Sequence, residues 1–265
     1  MQQGEDATGS VRTVGVEGRG NALVRVRVAA AQFECARGDV NANVRLIAAL
    51  AVEAREAGSA VMVCPELALT GYEPGLIGAD RALWTEAEDV RLDPLRTTGI
   101  AIVVNGAAAG PGGRPQIVST VYAPDGTVAA VYAKEHLYEN EQEVFEPGNG
   151  GGRFWSDGVG YSLGTCFDNH FPEVPARNAA RGCQVHLASS LYGTGGGREE
   201  RSALHPAIAK ATGMYVVLAN HVGVAGPWTG CGGSAAWAPD GAVVVEADES
   251  GPRLLVADLE VEMRD

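Results

Sequence analysis

Three side chains of different chemistry each follow a short apolar run, and in one pocket they would form a device for attacking a carbonyl. Cys166 follows the apolar run Val159 to Leu163, and the Pro-started, Gly-ended stretch from Phe171 to Gly182 reads as a helix beyond it. A thiol on such a strand-to-helix turn is exposed, and free N–H groups with a helix N-terminus favour thiolate and oxyanion charge. Glu66 follows the apolar segment Ala60 to Cys64, where desolvation raises a carboxyl pKa toward the range useful for proton transfer. Lys134 stands just past the strand-like segment Thr127 to Ala133. Taken singly, each has a bland alternative: a buried structural thiol, a capping or solvated carboxylate, a surface ammonium. Taken together, the carboxylate accepts the thiol proton and the thiolate attacks an electrophilic carbon. The ammonium and a backbone N–H hold the oxyanion, and the carboxylate then protonates the leaving amine.

Lysine usage sharpens the interest in Lys134. Of 20 basic residues, Lys134 and Lys210 are the two lysines and the rest are Arg. Arginine cannot supply a compact, titratable point charge, so a lysine kept in such a chain marks a place where an ammonium could be required.

The elements that must position these groups alternate. Leu23 to Phe33 reads as a first strand. Asn41 to Ala57 sets Val44, Ile47, Ala48, Ala51 and Ala54 on one helical face, with Gly58 as the stop. Strands are expected at Ala60 to Cys64, Ile100 to Ala107, Ile117 to Ala123, Thr127 to Ala133, Val159 to Leu163, Gln184 to Ser189, Met214 to Ala219, Ser234 to Ala238, Ala242 to Glu246 and Arg253 to Asp258. Helices are expected at Ala79 to Val90, Phe171 to Gly182 and Arg198 to Gly213. Lys134 to Gly152 reads as a long acidic loop with room for one helical turn. Val121-Tyr-Ala-Pro-Asp-Gly-Thr-Val resembles Ala236-Trp-Ala-Pro-Asp-Gly-Ala-Val, so each half of the chain carries a hairpin on the same turn. Strand–helix–strand units with a repeated hairpin imply two similar mixed sheets face to face with helices outside.

The chain has 265 residues, a net charge of −13 and a 46% apolar share, which is a globular composition with ample core. The acidity argues against nucleic acid and against an anionic membrane surface as partners. No apolar run reaches membrane-spanning length. Residues 1–22 are Gly-rich and polar and read as a flexible tail, with residues 23–265 as one domain. The five cysteines show no CxxC spacing, which fits a reduced, cytoplasmic protein. The five histidines show no ligand spacing, so no metal is expected. The glycines of Gly193-Thr194-Gly195-Gly196-Gly197 form a loop and not a dinucleotide fingerprint, since Arg198 stands where the third glycine belongs.

Pro65-Glu66 with Thr70-Gly71-Tyr72, Lys134 with His136-Leu137 and Phe145-Glu146-Pro147-Gly148, and Cys166-Phe-Asp with Phe171-Pro172-Glu173 together resemble the nitrilase superfamily of carbon–nitrogen hydrolases. Ala31-Gln32-Phe33, Asp39 with Asn43, Ala219-Asn220 and Gly232-Gly233-Ser234 fit the same pattern, in order, from Val24 to the C-terminus. The resemblance implies a four-layer αββα sandwich, a homodimer or larger homo-oligomer, and no cofactor. It implies a catalytic set of Glu66, Lys134 and Cys166, with Glu141, ahead of Glu139 and Glu143, as a second acid that orients substrate and water. It places the oxyanion between the Lys134 ammonium and the Phe167 N–H. The implied reaction is hydrolysis of a small-molecule amide or carbamoyl bond through a Cys166 thioester.

The chain departs from that family where Asn169-His170 stands in place of a pair that ends in Arg in many members, and Ile208 to Thr212 replaces a common helix sequence. These departures bear on the substrate, and Tyr72, Asn169, His170 and Tyr192 are the candidate pocket residues. Phe167-Asp168 stands where true nitrilases carry Trp-Glu, which favours amides over nitriles. Acyl transfer from the same thioester to an amine, a Cys–His dyad using His136, His205 or His221, and a non-catalytic binding protein are the competing readings. Trp84, Trp155, Trp228 and Trp237 are expected to pack, as are Cys35, Cys64, Cys183 and Cys231.

Overall fold

The structure, a computed structural model, describes residues 23–262. The tail expected over residues 1–22 lies outside them. The first strand, β1 (Leu23–Gln32), shows why the chain layers as it does. Its successive side chains point to opposite faces. Val26, Val28 and Ala30 enter the core between two sheets, while Ala29 and Ala31 pack beneath a helix. That helix, α1 (Val40–Glu56), is capped by Asp39, whose Oδ1 accepts the Ala42 N–H at 2.9 Å. It buries Val44, Ile47, Ala51 and Ala54 on β1, β2 (Val61–Val63) and β3 (Ala101–Ala109). Each fully buried Val, Leu or Ile in these layers contributes roughly 1.5–3 kcal/mol.

The first sheet is completed by β4 (Pro115–Tyr122) and β5 (Val128–Ala133). Its outer strand, β14 (Arg253–Glu262), pairs antiparallel with β1, giving the order β14-β1-β2-β3-β4-β5. The second sheet comprises β6 (Arg153–Ser156), β7 (Val159–Thr165), β8 (Val185–Ser190), β9 (Tyr215–Asn220), β12 (Ala235–Trp237) and β13 (Val243–Glu246). Read outward from β6, its order is β6-β7-β8-β9-β12-β13. Both sheets therefore run an antiparallel edge strand, three parallel strands, then an antiparallel hairpin. The hairpin pair that shares an Ala-Pro-Asp-Gly turn occupies equivalent places in the two sheets, as the sequence similarity implies.

The sheets meet through Val28, Val63 and Val103 on one side and Leu163, Leu187 and Val217 on the other. On the outer face of the second sheet, α5 (Gly196–Thr212) lays Ile208 and Ala209 on Ala188, Val216 and Leu218. The shorter α4 (Glu173–Ala179) follows β7 on the chain. The result is the expected αββα sandwich. A further pair, β10 (Val222–Ala225) and β11 (Trp228–Cys231), forms a two-stranded hairpin of its own that the sequence reading did not anticipate.

Two expected elements differ. The helix expected at Ala79 to Val90 is replaced by α2 (Pro74–Ala79) and separate single turns at Arg81–Leu83 and Val90–Leu92, before α3 (Asp93–Arg96). Asp80 and Asp89 cap those turns, and the Trp84 indole N–H reaches back to the Ile77 carbonyl at 2.8 Å. Local capping by Asp thus outcompetes a continuous helix. The helix beyond Cys166 also begins late. A 3₁₀ turn, Cys166–His170, comes first and α4 starts at Glu173, so Cys166 does not sit at the N-terminus of an α-helix.

Candidate active site

The sheet topology itself gathers the three groups. β2 and β3 are parallel, and β5 is antiparallel to β4, which is antiparallel to β3. β2 and β5 therefore end at the same edge, and Glu66 and Lys134 follow those ends. Cys166 follows β7 in the facing sheet. Beneath the site the sheets are stitched by Asn105 of β3, Ser119 of β4 and Thr165 of β7. Asn105 Nδ2 donates to Ser119 Oγ at 2.9 Å, and Ser119 Oγ lies 3.4 Å from Thr165 Oγ1.

Two non-glycine residues at the site hold left-handed backbone, Leu67 at φ 49° and Cys166 at φ 45°. Such strain costs on the order of 1–3 kcal/mol and persists only where the surroundings enforce it. At Leu67 the enforcement is Asn105 Oδ1, which accepts the Leu67 N–H at 2.6 Å. His221 Nε2 holds the Glu66 carbonyl at 2.5 Å. Burial lowers the His221 pKa to about 4, so the ring is neutral there.

At Cys166 the enforcement comes from Asp168, which is fully buried. Its Oδ2 accepts the Tyr132 hydroxyl at 2.7 Å and the Thr165 N–H at 3.2 Å. Its Oδ1 accepts the Glu135 and His136 N–H groups at 3.1 and 2.8 Å. One carboxylate thus ties the thiol turn to the two backbone N–H groups that follow Lys134 and to the Tyr132 side chain before it. Asn169, expected at the pocket, is instead buried in the opposite direction. A 3₁₀ turn places residue i+3 over residue i. Asn169 Nδ2 accordingly donates to the Cys166 carbonyl at 3.0 Å, and its Oδ1 meets His186 Nε2 at 2.7 Å.

The Lys134 ammonium is wholly buried between two carboxylates. Its Nζ lies 2.7 Å from Glu66 Oε1, and 2.8 and 2.7 Å from the two oxygens of Glu141. Burial alone would push Lys134 down, but Glu66 and Glu141 together hold it above its ordinary value, so it stays charged. Glu141 also accepts the Tyr72 hydroxyl at 2.8 Å and the Tyr138 N–H at 2.7 Å. Both of its oxygens are thereby committed, and it does not reach the cavity wall. Burial raises Glu66 to about 7, with Glu141 adding to the rise and Lys134 opposing it. Burial, then the Glu66 charge, pushes the Cys166 thiol well above its usual value. The sulfur therefore rests as a thiol, contrary to the thiolate expected from a helix N-terminus, with a carboxylate poised near neutrality beside it.

A cavity of about 220 Å³ opens onto this cluster. Glu66, Cys166 and Phe167 line it together with Tyr72, His170 and Tyr192, as the sequence suggested. The Gly193–Gly197 loop, Tyr138, Leu191, Glu200 and Trp228 complete the wall. Trp228, expected to pack, sits on the wall and is 46% exposed, because the β10–β11 hairpin carries it there. The hairpin is pinned to the loop after β8 by Cys231 N–H to the Tyr192 carbonyl at 2.9 Å and Thr194 N–H to the Thr229 carbonyl at 2.8 Å.

None of the three histidines weighed as a dyad partner lines the cavity. His136 stacks on Phe171 at 3.6 Å, His205 lies between Tyr192 and Trp237, and His221 supports Glu66. Cys35, Cys64, Cys183 and Cys231 are buried away from it. Among the described residues no cluster of metal ligands is found, and no helix is long and apolar enough to cross a membrane.

Two matched sheets with an acid–ammonium–acid cluster and a thiol at one shared edge define a layered α/β architecture of the nitrilase type. The carbon–nitrogen hydrolase family profile matches residues 27–265, and the chain belongs to that family. A hydrolase of Mycobacterium tuberculosis is 33% identical over 89% of this chain and 90% of its own length. An omega-amidase of Danio rerio is 25% identical over 64% of this chain and 65% of its own length. Among solved structures, a variant of the amidase from Nesterenkonia sp. AN1 in complex with butyramide superposes with a TM-score of 0.79 at 33% identity. It covers 88% of this chain and 90% of that one. A second structure of that amidase, also at TM-score 0.79 and 33% identity, shows Michael addition of acrylamide at its active-site cysteine. It covers 88% of this chain and 93% of that one.

Proposed function

We propose that the protein is a thiol-dependent amidase that hydrolyses a small linear amide through a thioester on Cys166. The observation that carries this reading is the Lys134 ammonium, fixed 2.7 Å from Glu141 and 2.7 Å from Glu66, which lines the same cavity as Cys166. Glu66, titrating near 7, takes the thiol proton as Sγ attacks the amide carbon. Negative charge gathers on the carbonyl oxygen. The Lys134 ammonium and the Phe167 N–H, free at the start of a 3₁₀ turn, receive it. Glu66 passes its proton to the nitrogen, the C–N bond breaks and ammonia or an amine departs. Water then adds to the thioester carbon, its proton going to Glu66. The C–S bond breaks, the sulfur recovers the proton, and the acid leaves.

In this scheme Glu141 is a positioning residue. Its two oxygens hold the ammonium where the oxyanion forms and balance its buried charge. The cavity volume suits a short acyl group better than a drug-sized one. Butyramide bound in a variant of the similar amidase supports an amide as the substrate.

The test is ammonia release from a panel of short amides beside Cys166→Ala, with intact-protein mass read during turnover. The wild type should turn over at least one amide and carry an acyl adduct on Cys166, and the variant should do neither. Turnover surviving the substitution overturns the nucleophile.

A further inference from the structure

The cavity that Cys166 lines also holds Glu200, from the first turns of α5, with its Oε1 2.9 Å from His170 Nε2. We propose that this cavity selects its amides by charge. It accepts acyl groups that end in a methyl or an ammonium and rejects those that end in a carboxylate, with Glu200 as the residue that sets the choice. The inference rests on the amidase reading and adds the substrate class to it.

The charges on the wall carry the argument. Glu66 and Glu200 line the cavity, and no Lys or Arg of the described residues does. Lys134 is already shared between Glu66 and Glu141, so that cluster has no positive charge to spare when both carboxyls are ionised. The two arginines nearest Glu200 on α5 are engaged elsewhere. Arg198 pairs with Glu249, and Arg201 pairs with Glu246 and Glu249. At a pH where the imidazole carries no proton beyond its one N–H, a hydrogen bond from His170 Nε2 leaves the Glu200 charge uncancelled. An acyl chain ending in a carboxylate would lose hydration here, meet no counter-charge and face a like charge across a short gap. An ammonium would find Glu200, whose side chain is 46% exposed and free to turn toward it. The net charge of −13 acts in the same direction at longer range, concentrating cations and depleting anions at the entrance.

The experiment compares kcat/KM for butyramide and its two analogues that carry an ammonium or a carboxylate on the last carbon, at mildly alkaline pH. The wild type should disfavour the carboxylate analogue by at least about tenfold relative to butyramide and take the ammonium analogue as well or better. Glu200→Gln should narrow the ratio between the charged analogues by about tenfold, and Glu200→Lys should reverse their order. Equal use of butyramide and the carboxylate analogue by the wild type overturns the proposal, as does a ratio that Glu200→Gln leaves unmoved. A second readout needs no hydrolysis: the rate of Cys166 alkylation by neutral iodoacetamide against anionic iodoacetate, each scaled to a free thiol and read by peptide mass. A preference for the neutral reagent that shrinks in Glu200→Gln upholds charge selection even if no amide is cleaved, in which case the amidase reading alone falls. Amide turnover with no charge preference in either readout removes this inference and leaves that reading standing.

Discussion

The β4–β5 and β12–β13 hairpins are built alike and end differently. Both turn on Ala-Pro-Asp-Gly. Gly126 and Gly241 both stand at φ 81°. Their N–H groups bond to the carbonyls of Ala123 and Ala238 at 2.9 and 2.7 Å. Asp125 and Asp240 each accept the N–H two residues on, at 3.0 and 2.9 Å. Each hairpin carries a register shift at the same place, Val121/Tyr122 in one and Ala236/Trp237 in the other. Past the second strand the likeness stops. β5 runs into Lys134, wholly buried between two carboxylates. β13 runs into Ala247 and the exposed Asp248, which pairs with Arg253 at the surface. A twice-used scaffold fixes where the chain exits a sheet, and the residue type at that exit decides whether chemistry follows. The site is also shared, with Glu66, Lys134 and Glu141 from the first half and Cys166, Glu200 and Trp228 from the second. It exists only while the two sheets are packed.

The two lysines test that contrast most strongly. Lys134→Met leaves Glu66 and Glu141 buried without a counter-charge. Breaking such a buried cluster should cost about 3–5 kcal/mol, and activity should vanish with it. Lys210, on an exposed position of α5, should shift stability by less than about 0.5 kcal/mol when changed to Met. Paired urea denaturation curves decide it. A Lys134→Met protein as stable as Lys210→Met would mean that the carboxyls rest protonated and that no buried ion cluster exists.

The turn that presents Cys166 depends on Asp168, whose two oxygens accept four hydrogen bonds. Asp168→Asn turns one acceptor into a donor facing donors, and should cost about 1–3 kcal/mol. Because that carboxylate ties the backbone just after Lys134 to the residue just before Cys166, kcat should fall while KM changes little. A variant that loses stability yet keeps kcat would show that the strained φ at Cys166 is held by something else.

Glu66 gives the next effect a sign. Its pKa is raised to about 7, and only its ionised form can accept the thiol proton. Activity should therefore be lost as pH falls through that value, about tenfold per pH unit on the acid limb of kcat/KM, and level off above it. An acid limb in the ordinary carboxylate range would show that Glu66 is solvated in the working enzyme and not buried as it is here.

Much of this was legible because strands announce themselves. The apolar run before Cys166, the short apolar run before Glu66 and the hairpin before Lys134 each predicted a side chain at a sheet edge, and the repeated turn predicted two like sheets. The wall of the cavity was less legible. Val222 to Cys231 is interrupted by Gly223, Gly226, Pro227 and Gly230, so neither strand of its hairpin has the length or alternation that marks a strand, and Trp228, on the cavity wall, reads as a packing residue. Glu200 reads as one more acid on a helix surface, and only the fold brings it beside His170. Asn169 was misplaced because adjacency to Cys166 in sequence says nothing of direction, which the 3₁₀ turn reverses. Buried chemistry is constrained by its neighbours along the chain, whereas the mouth of the cavity is assembled from segments far apart in it.

The smallest effect returns to the two hairpins and separates them on sterics alone. Gly126→Ala and Gly241→Ala both force a side chain into left-handed backbone, at about 1 kcal/mol each. The surroundings differ. A Cβ on Gly126 would stand 2.4 Å from the Arg96 carbonyl oxygen, part of the backbone at the end of α3 that cannot swing aside. The same Arg96 holds the Gly126 carbonyl through Nε at 3.0 Å, so relief of the clash strains that bond as well. A Cβ on Gly241 would stand 2.4 Å from Cε of Lys210, the far end of a flexible exposed chain that can turn away. Gly126→Ala should therefore destabilise by at least about 1 kcal/mol more than Gly241→Ala, read as the difference in urea midpoint at constant slope. Equal losses would mean that the turn conformation alone sets the cost and that the first hairpin is no more tightly clamped than the second. A larger loss at Gly126 would place the clamp on the hairpin whose outgoing strand must deliver Lys134 to its two carboxylates.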